Sequence, residues 1–226
     1  NSVVTSGLNL DAYCGASPAS YFPNGKLSGT QKPDCSLNYF PAGLMGSTST
    51  VSFNFSTAPL LVSGAALQVG AVYKYEGVTP GVDAMVKVDS LAGGATISTI
   101  DDNAGGAGYM EGFQPHIKDG PAAGESYAVF TIDYKISGTS VSHKMNTFGI
   151  TALDIDGTGT LKEFDQIDLG PGAKAAYNAS PTNISLTQVG PGAYRAINAD
   201  GKTINGIDTV SKANMFTVNN SNVSSF

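Results

Sequence analysis

Hydrophobic and polar residues alternate at a two-residue spacing along most of this chain, whereas the 3.6-residue spacing of amphipathic helices is scarce. The pattern is clearest in residues 125–137, where Phe130, Ile132 and Tyr134 share one face of the predicted strand. Clusters of Gly, Asn and Pro, the residues that favour turns, separate the alternating segments. Further predicted strands lie near residues 51–55, 69–78, 83–91, 95–101, 145–155, 160–169, 183–189, 193–199 and 214–223.

More than eight short strands joined by turn-rich segments predict an all-β fold, an antiparallel β-sandwich of the jelly-roll type. No charged or proline-rich linker divides the sequence, so we expect a single domain over residues 1–226. Residues 1–47 have weaker strand patterns. We interpret them as a loop-rich cap or as a segment that carries an exchanged N-terminal strand.

The exchanged-strand interpretation depends on residues 1–10, where Val4, Leu8 and Leu10 fall on one face of an extended chain. Such a strand either forms the edge of its own domain or adds to the sheet edge of a neighbouring molecule. The other end of the chain, residues 216–226, is also strand-like. This pattern indicates a fragment of a longer protein, or a subunit whose end packs on another.

Composition limits the classes of partner. Only 13% of the residues are charged and the formal net charge is −6, so the cationic surface that nucleic acids require is missing. No apolar run approaches the roughly 18 residues that span a bilayer, which argues against membrane insertion. The sequence begins without a basic and apolar leader, so we expect that any signal peptide has already been removed.

Cys14 and Cys35 are the only cysteines. Their simplest interpretation is a disulfide in an oxidising, extracellular setting, although two buried free thiols fit the same spacing. Closing a loop of about twenty residues adds roughly 3 kcal/mol in the chain-entropy description. Neither cysteine has a second cysteine or a histidine nearby in the sequence, which argues against zinc.

The densest cluster of acids is TALDIDGTGTLKEFDQIDL, residues 151–169. Asp154 and Asp156 match the first and third positions of an EF-hand loop, and Gly159 matches its turn position. Thr158 and Asp165 depart from the pattern at the fifth and twelfth positions. The flanking residues have β character instead of helical character, so this segment is not an EF-hand.

A hairpin explains residues 151–169 better. In extended strands Asp154 and Asp156 project to one face, as do Glu163 and Asp165 on the following strand. Carboxylates on one face repel each other unless a cation lies between them, and calcium prefers six to eight oxygen ligands. The alternative is a solvent-facing hairpin tip with Lys162 as its counterion.

A second candidate for calcium follows the predicted strand 95–101. Asp101 and Asp102 precede a glycine-rich loop that ends near Glu111, so carboxylate and carbonyl oxygens are available there. Asp and Asn beside glycine also form ordinary turns. If this loop folds beside the hairpin, one cation is shared by Asp101, Asp102, Asp154, Asp156, Glu163 and Asp165.

Catalytic patterns are weak, and we do not expect an enzyme. Paired carboxylates occur in glycosidases, but the chain contains no Trp for stacking on a sugar. No G-x-S-x-G elbow accompanies the many serines. Two short Asp-Ser/Thr-apolar motifs, at Ser90 and Thr209, are candidates for O-glycosylation of a secreted bacterial protein.

The order of several motifs resembles a β-domain of large secreted, adhesin-like surface proteins from gliding Bacteroidetes-type bacteria. The motifs are VGAVYKYEGVTPGVDAMVKVDSL, ISTIDDN, FQPHI, TALDIDGTGTLKEF and ANMFTVNNSNVSSF, within residues 70–226. The resemblance implies an extracellular β-domain with an adhesive or filament-forming role. It also places five acids on recurring acidic positions of that group: Asp101, Asp102, Asp154, Asp156 and Glu163.

The sequence therefore predicts an extracellular structural or adhesive module, held by calcium and a disulfide, that self-associates by strand addition or binds other surface proteins. A calcium-dependent carbohydrate-binding module is the alternative, with Tyr73, Tyr75 or Tyr109 stacking on sugar rings. A hydrolase that acts on glycans is the third hypothesis.

Overall fold

The computed structural model describes residues 52–102, 111–121, 123–204 and 211–226, together with the backbone of Leu37–Asn38. Apart from a 3-10 turn at Lys212–Asn214, the regular elements in these residues are β-strands, and the predicted all-β, sandwich-type architecture is confirmed. The jelly-roll connectivity stays a prediction. The strands are β1 Leu37–Asn38, β2 Leu60–Ser63, β3 Val72–Thr79, β4 Val82–Ala92, β5 Thr96–Thr99, β6 His116–Lys118, β7 Tyr127–Ile136, β8 Met145–Ala152, β9 Gly157–Thr158, β10 Leu161–Lys162, β11 Phe164–Asp168, β12 Lys174–Tyr177, β13 Ile184–Gly190, β14 Ala193–Asn198 and β15 Phe216–Val223.

The described chain forms two compact units. Unit 1 contains Ser52–Met145 and Val223–Phe226, and unit 2 contains Asn146–Asn222 together with the short strand β1. Compactness does not decide whether the units unfold together, so the single domain over residues 1–226 stays a prediction. The part of the chain that the structure describes has no helix long and apolar enough to cross a bilayer.

Unit 1 is built on an antiparallel sheet in the order β2-β3-β4-β7. The long strands β4 and β7 pair from Val82↔Ile136 to Ala92↔Tyr127, with a bulge at Asp89. The predicted alternation holds, because Ala84, Val86 and Val88 are fully buried. Strands β5 and β6 form a separate two-stranded ladder.

An aromatic core covers the inner face of this sheet. The Phe53 ring lies 4.4 Å from that of Tyr134, and Phe55 makes an edge contact with Tyr75 at 5.0 Å. Phe53 and Phe55 alternate with exposed residues as predicted, although residues 52–59 form no regular strand. Burying such side chains contributes about 2–3 kcal/mol each.

The C-terminal residues of unit 1 extend the sheet beyond β7. The backbone amide of Ile132 donates to the carbonyl of Phe226 at 2.7 Å, and the Phe226 amide returns a bond at 3.1 Å. Tyr134 donates in the same way to Ser224. The strand-like end of the chain is therefore used as a short pairing segment that covers part of the β7 edge.

Unit 2 contains two larger sheets and a small hairpin. The first sheet has the order β1-β12-β15-β8, with β1 parallel to β12, and the second has the antiparallel order β11-β14-β13. Strands β9 and β10 pair as a two-stranded hairpin. Large fully buried side chains fill the core of this unit: Phe148, Ile155, Phe216 and Val218.

Most predicted strands are present, but β2, β6 and β12 were not predicted. Strand β2 is Leu60–Ser63, whose first three residues are all apolar, so its sequence does not alternate. All four residues are exposed, so its burial does not alternate either. Strand β12 is Lys174–Tyr177, whose alanines have low strand propensity and are nevertheless buried by tertiary packing.

Candidate functional site

The hairpin predicted around residues 151–169 exists in a shorter form. Strands β9 and β10 pair Thr158 with Leu161 and Gly157 with Lys162. Asp154 precedes this hairpin and has a φ of 60°, so the chain is not continuously extended there. The two-residue alternation that predicted a shared face for Asp154 and Asp156 therefore does not apply to this stretch.

The four acids of this region nevertheless interact through their charges. Burial, together with the charges of Asp156, Asp165 and Asp154, raises the pKa of Glu163 to about 7, against a hydrogen bond from the Asp156 amide. The Glu163 residue as a whole remains exposed. Water therefore screens these repulsions, and their effect on stability is smaller than the pKa shift alone implies.

A second Asp-Gly turn holds Asp156 in place, and sequence reasoning missed it. The backbone amide of Ile204 donates to the Asp156 carboxylate, and Gly157 donates to the carbonyl of Lys202 at 3.0 Å. Asp156 is buried. Nearby, Asp200 accepts from the Lys202 amide, which lowers the pKa of that carboxyl. The likeness of NADGKT, residues 198–203, to DIDGTG, residues 154–159, was the available signal.

Asp101 and Asp102 lie in unit 1, after β5. Asp101 is buried and accepts a hydrogen bond from the Gln114 amide at 3.0 Å. Burial raises its pKa to about 6, opposed by the hydrogen bond from the Gln114 amide and by the nearby Tyr75 hydroxyl. Burial and the Asp101 charge also raise the pKa of Tyr75. Asp101 is therefore part of the aromatic core instead of an open loop.

In the residues that the structure describes, no three acidic, histidine or cysteine side chains are arranged to hold a metal ion. The glycine-rich loop at 103–110 lies outside those residues. The hairpin acids belong to unit 2 and Asp101 belongs to unit 1. A calcium ion at either place, or one shared between them, therefore stays a prediction.

Three other predicted positions fall beyond the described residues: Cys14, Cys35 and Thr209. The disulfide and the second glycosylation motif thus stay predictions. Ser90 lies in the central strand β4, half-buried, next to the bulge at Asp89. Asp89 accepts a hydrogen bond from the Thr131 hydroxyl and an ion pair from Lys87, so this DSL motif also has a role in the sheet.

The tyrosines proposed to stack on sugars are buried. Tyr73 is 5% exposed and Tyr75 is fully buried in the aromatic core. The Tyr73 hydroxyl accepts a hydrogen bond from the Leu67 amide at 2.7 Å. Neither ring presents a face to a ligand, so this part of the carbohydrate-binding hypothesis is wrong for Tyr73 and Tyr75. Tyr109 lies outside the described residues.

The feature of unit 1 that sequence reasoning missed is the edge strand β2. Leu60, Leu61 and Val62 are 53%, 44% and 50% exposed, and β2 pairs on one side with β3. Residues 35–73 contain no charged side chain, so nothing ionic protects this edge. The available signal was this long uncharged run.

Comparison with known protein families, curated proteins and solved structures finds no match to the chain.

Proposed function

We propose that this protein is a structural, adhesive module of an extracellular surface assembly, and that copies of it associate through β-strand addition. The observation that carries the proposal is the β2 edge, which among the described residues ends the unit 1 sheet with exposed apolar side chains. A sheet edge of this kind pairs readily with another strand, and natural monomers commonly protect such edges with charged side chains, which Leu60–Ser63 lacks.

The other edges support the choice of β2. At β7 the C-terminal residues 224–226 already bond to Ile132 and Tyr134. At β11 the edge carries Asp165 and Asp168, whose charges oppose the approach of a second acidic chain. At β13 the exposed side chains include Ser185, Thr187 and Gln188, which water solvates well.

The buried carboxylate of Asp83, in the same sheet as β2, is occupied by contacts within the protein. Asp83 accepts four hydrogen bonds or ion pairs, from Gly77, Ser137, Gly138 and Lys74. Such closed networks give a rigid scaffold instead of groups aimed at a substrate. This favours a structural role over a hydrolase, whose acids need access to substrate.

Calcium and the Cys14–Cys35 disulfide belong to the same proposal as stabilising elements. Support for calcium comes from the mutual repulsion of the acids near Glu163, which a bound divalent cation relieves. Extracellular localisation is part of the proposal and rests on the cysteine pair, the low charge and the family resemblance.

The proposal is tested by sedimentation and electron microscopy of the full chain. We expect ordered polymers, and we expect Val62→Lys to reduce the apparent association constant at least tenfold. The matched control is Val189→Lys, which places the same charge on a side chain that is 49% exposed at another sheet edge. A wild-type chain that stays monomeric at high concentration contradicts the proposal.

A further inference from the structure

We infer that the strand added to β2 is residues 3–10 of a second copy of this chain, so that assembly is head-to-tail. This inference rests on the proposed function, which requires an added strand without stating its source. The acceptor, Leu60–Ser63, lies in the described part of unit 1, and the donor segment precedes the described residues.

Charge is the first argument for this donor. Strand addition removes water from both backbones and from the flanking side chains, so ionised groups at the junction are costly. Residues 35–73, which include β2, contain no Asp, Glu, Lys or Arg, and neither do residues 1–10. In a chain of net charge −6, pairing two neutral segments also avoids repulsion between acids.

The hydrophobic pattern of the donor fits a sheet edge that has a core on one face only. Val4, Leu8 and Leu10 share one face of an extended strand, and Val3, Thr5 and Asn9 share the other. At the acceptor, Leu61 pairs with the buried Tyr73, so its side chain lies on the core side of the sheet. Donor leucines placed on that same side cover the exposed part of Leu61 and extend the aromatic core.

Among the other neutral segments of the chain, residues 36–51 are a poorer donor. Residues 36–51 also lack charge, but Leu37 and Asn38 are already paired with Ala175 and Ala176 of β12. Pro41, three residues after Asn38, lacks the amide hydrogen that a ladder needs.

A symmetric pairing of β2 with β2 of another copy is disfavoured by the bulge in this edge. The register of β2 against β3 shifts between Leu61 and Ser63, so Val62 is an extra residue in the edge. Two such edges would place bulge against bulge and interrupt both ladders. A single extended segment adjusts to one bulge more easily.

Chain length permits the connection. Residues 11–36 lie between the donor and β1, which is paired with β12, and an extended chain reaches about 3.3 Å per residue, on the order of 85 Å in all. A donor that joins a neighbour while its own β2 accepts the next donor makes a heterologous contact. Such contacts continue into open filaments unless they close into a ring.

The experiment is a complementation test with full-length chains. The acceptor variant is Val62→Lys, the donor variant is Leu8→Lys with Leu10→Lys, and the control is Val189→Lys. Each is first checked by circular dichroism and thermal melting, so that a misfolded chain is not scored. We expect polymers from the wild type and the control, and monomers from each test variant alone.

Mixing the two test variants gives the decisive result. One intact donor and one intact acceptor remain, so we expect dimers with one copy of each variant and nothing larger. If the donor variant alone still assembles like the wild type, the donor is another strand; the inference is overturned while the proposed function stands. A mixture that stays monomeric also overturns it. If the wild type does not assemble, both fail.

Discussion

At the scale of single residues, Asp83 shows how a buried charge is retained in a chain with few charges. It is 4% exposed, and both of its carboxylate oxygens accept two partners. Oδ1 accepts from the Gly77 amide and the Ser137 hydroxyl, and Oδ2 accepts from the Gly138 amide and Lys74. Burial raises the pKa of Asp83, but these bonds outweigh it and lower the pKa to about 2.

The substitution Asp83→Asn is expected to destabilise the protein by about 2–3 kcal/mol at pH 7, because an amide has one acceptor oxygen and turns donors towards donors. Asp133→Asn is the control, because that carboxylate is 41% exposed and its ion pair with Lys135 is long, at 3.9 Å, and therefore weak. Urea unfolding measures both. Equal, small losses for the two variants would contradict the structural role of Asp83.

The pH dependence of Asp83 has a definite sign. Its folded pKa, about 2, lies below the unfolded value near 3.8, so its stabilising contribution is complete above about pH 4 and is lost as pH falls through 2. The acid limb of the stability curve should therefore flatten in Asp83→Asn but not in Asp133→Asn.

The pH dependence of the stability that Asp101 contributes has the opposite sign. Its folded pKa, about 6, lies above the unfolded value of 3.8, so the native state holds a proton that the unfolded chain has lost. Stability contributed by this group therefore falls as pH rises from about 4 to about 6. Above pH 6 the buried residue carries an ionised carboxylate beside the Tyr75 hydroxyl.

We expect Asp101→Asn to be more stable than the wild type by about 1–3 kcal/mol at pH 8, and nearly equal to it at pH 4. The amide retains the acceptor for Gln114 without the charge. The measurement is urea unfolding at both pH values with a chelator present. Asp119→Asn, on the surface after β6, is the control, and a loss of stability at pH 8 would refute the expectation.

At the scale of elements, two turns that share the sequence GPGA pack against each other in unit 2. LGPGA at 169–173 and VGPGA at 189–193 meet where the Leu169 amide bonds to the carbonyl of Gly192. The side-chain amide of Asn220 donates to the carbonyl of Leu169 at 2.7 Å. The repeated motif thus reflects a turn–turn contact between neighbouring strands.

Because of this contact, we expect replacement of Gly192 by alanine to destabilise the protein more than replacement of Gly170. Gly192 has a φ of 84°, and a Cβ there would lie 1.6 Å from the Gly170 carbonyl oxygen. Gly170 has a φ of 77°, but its Cβ would meet nothing within 4 Å. Gly170→Ala should cost about 1–2 kcal/mol from backbone strain alone, and Gly192→Ala at least about 3 kcal/mol. Equal losses in urea unfolding would contradict the packing.

At the scale of the whole molecule, calcium is expected to act through the native state. A cation that binds only folded protein adds about 2.7 kcal/mol at 100 times its dissociation constant. We therefore expect calcium to raise the melting temperature of the wild type and to have a smaller effect on Glu163→Gln. Glu125→Gln, an exposed residue of unit 1 outside both candidate calcium sites, is the control. An unchanged wild-type melting temperature with calcium and with chelator removes calcium from the proposal.

The local alternation of apolar and polar residues was sufficient to predict most strands. Ala84, Val86 and Val88 alternate with more exposed residues in β4, and the same rule placed β7, β13 and β14. It failed for β2, because an exposed apolar run at a sheet edge has no alternation to detect. Among the candidate site residues, the grouping of acids near Glu163 was predicted, whereas Asp200 was not.

The sequence by itself determined the class of fold, since alternation and turn residues act between neighbours along the chain. Only tertiary structure decided which polar groups are enclosed and which apolar groups are left outside. Tyr73 and Tyr75 became core residues and Asp101 joined them, while Leu60 and Val62 stayed at a sheet edge. The physical reason is that burial depends on residues distant in the sequence, which pack or pair only after the chain has folded.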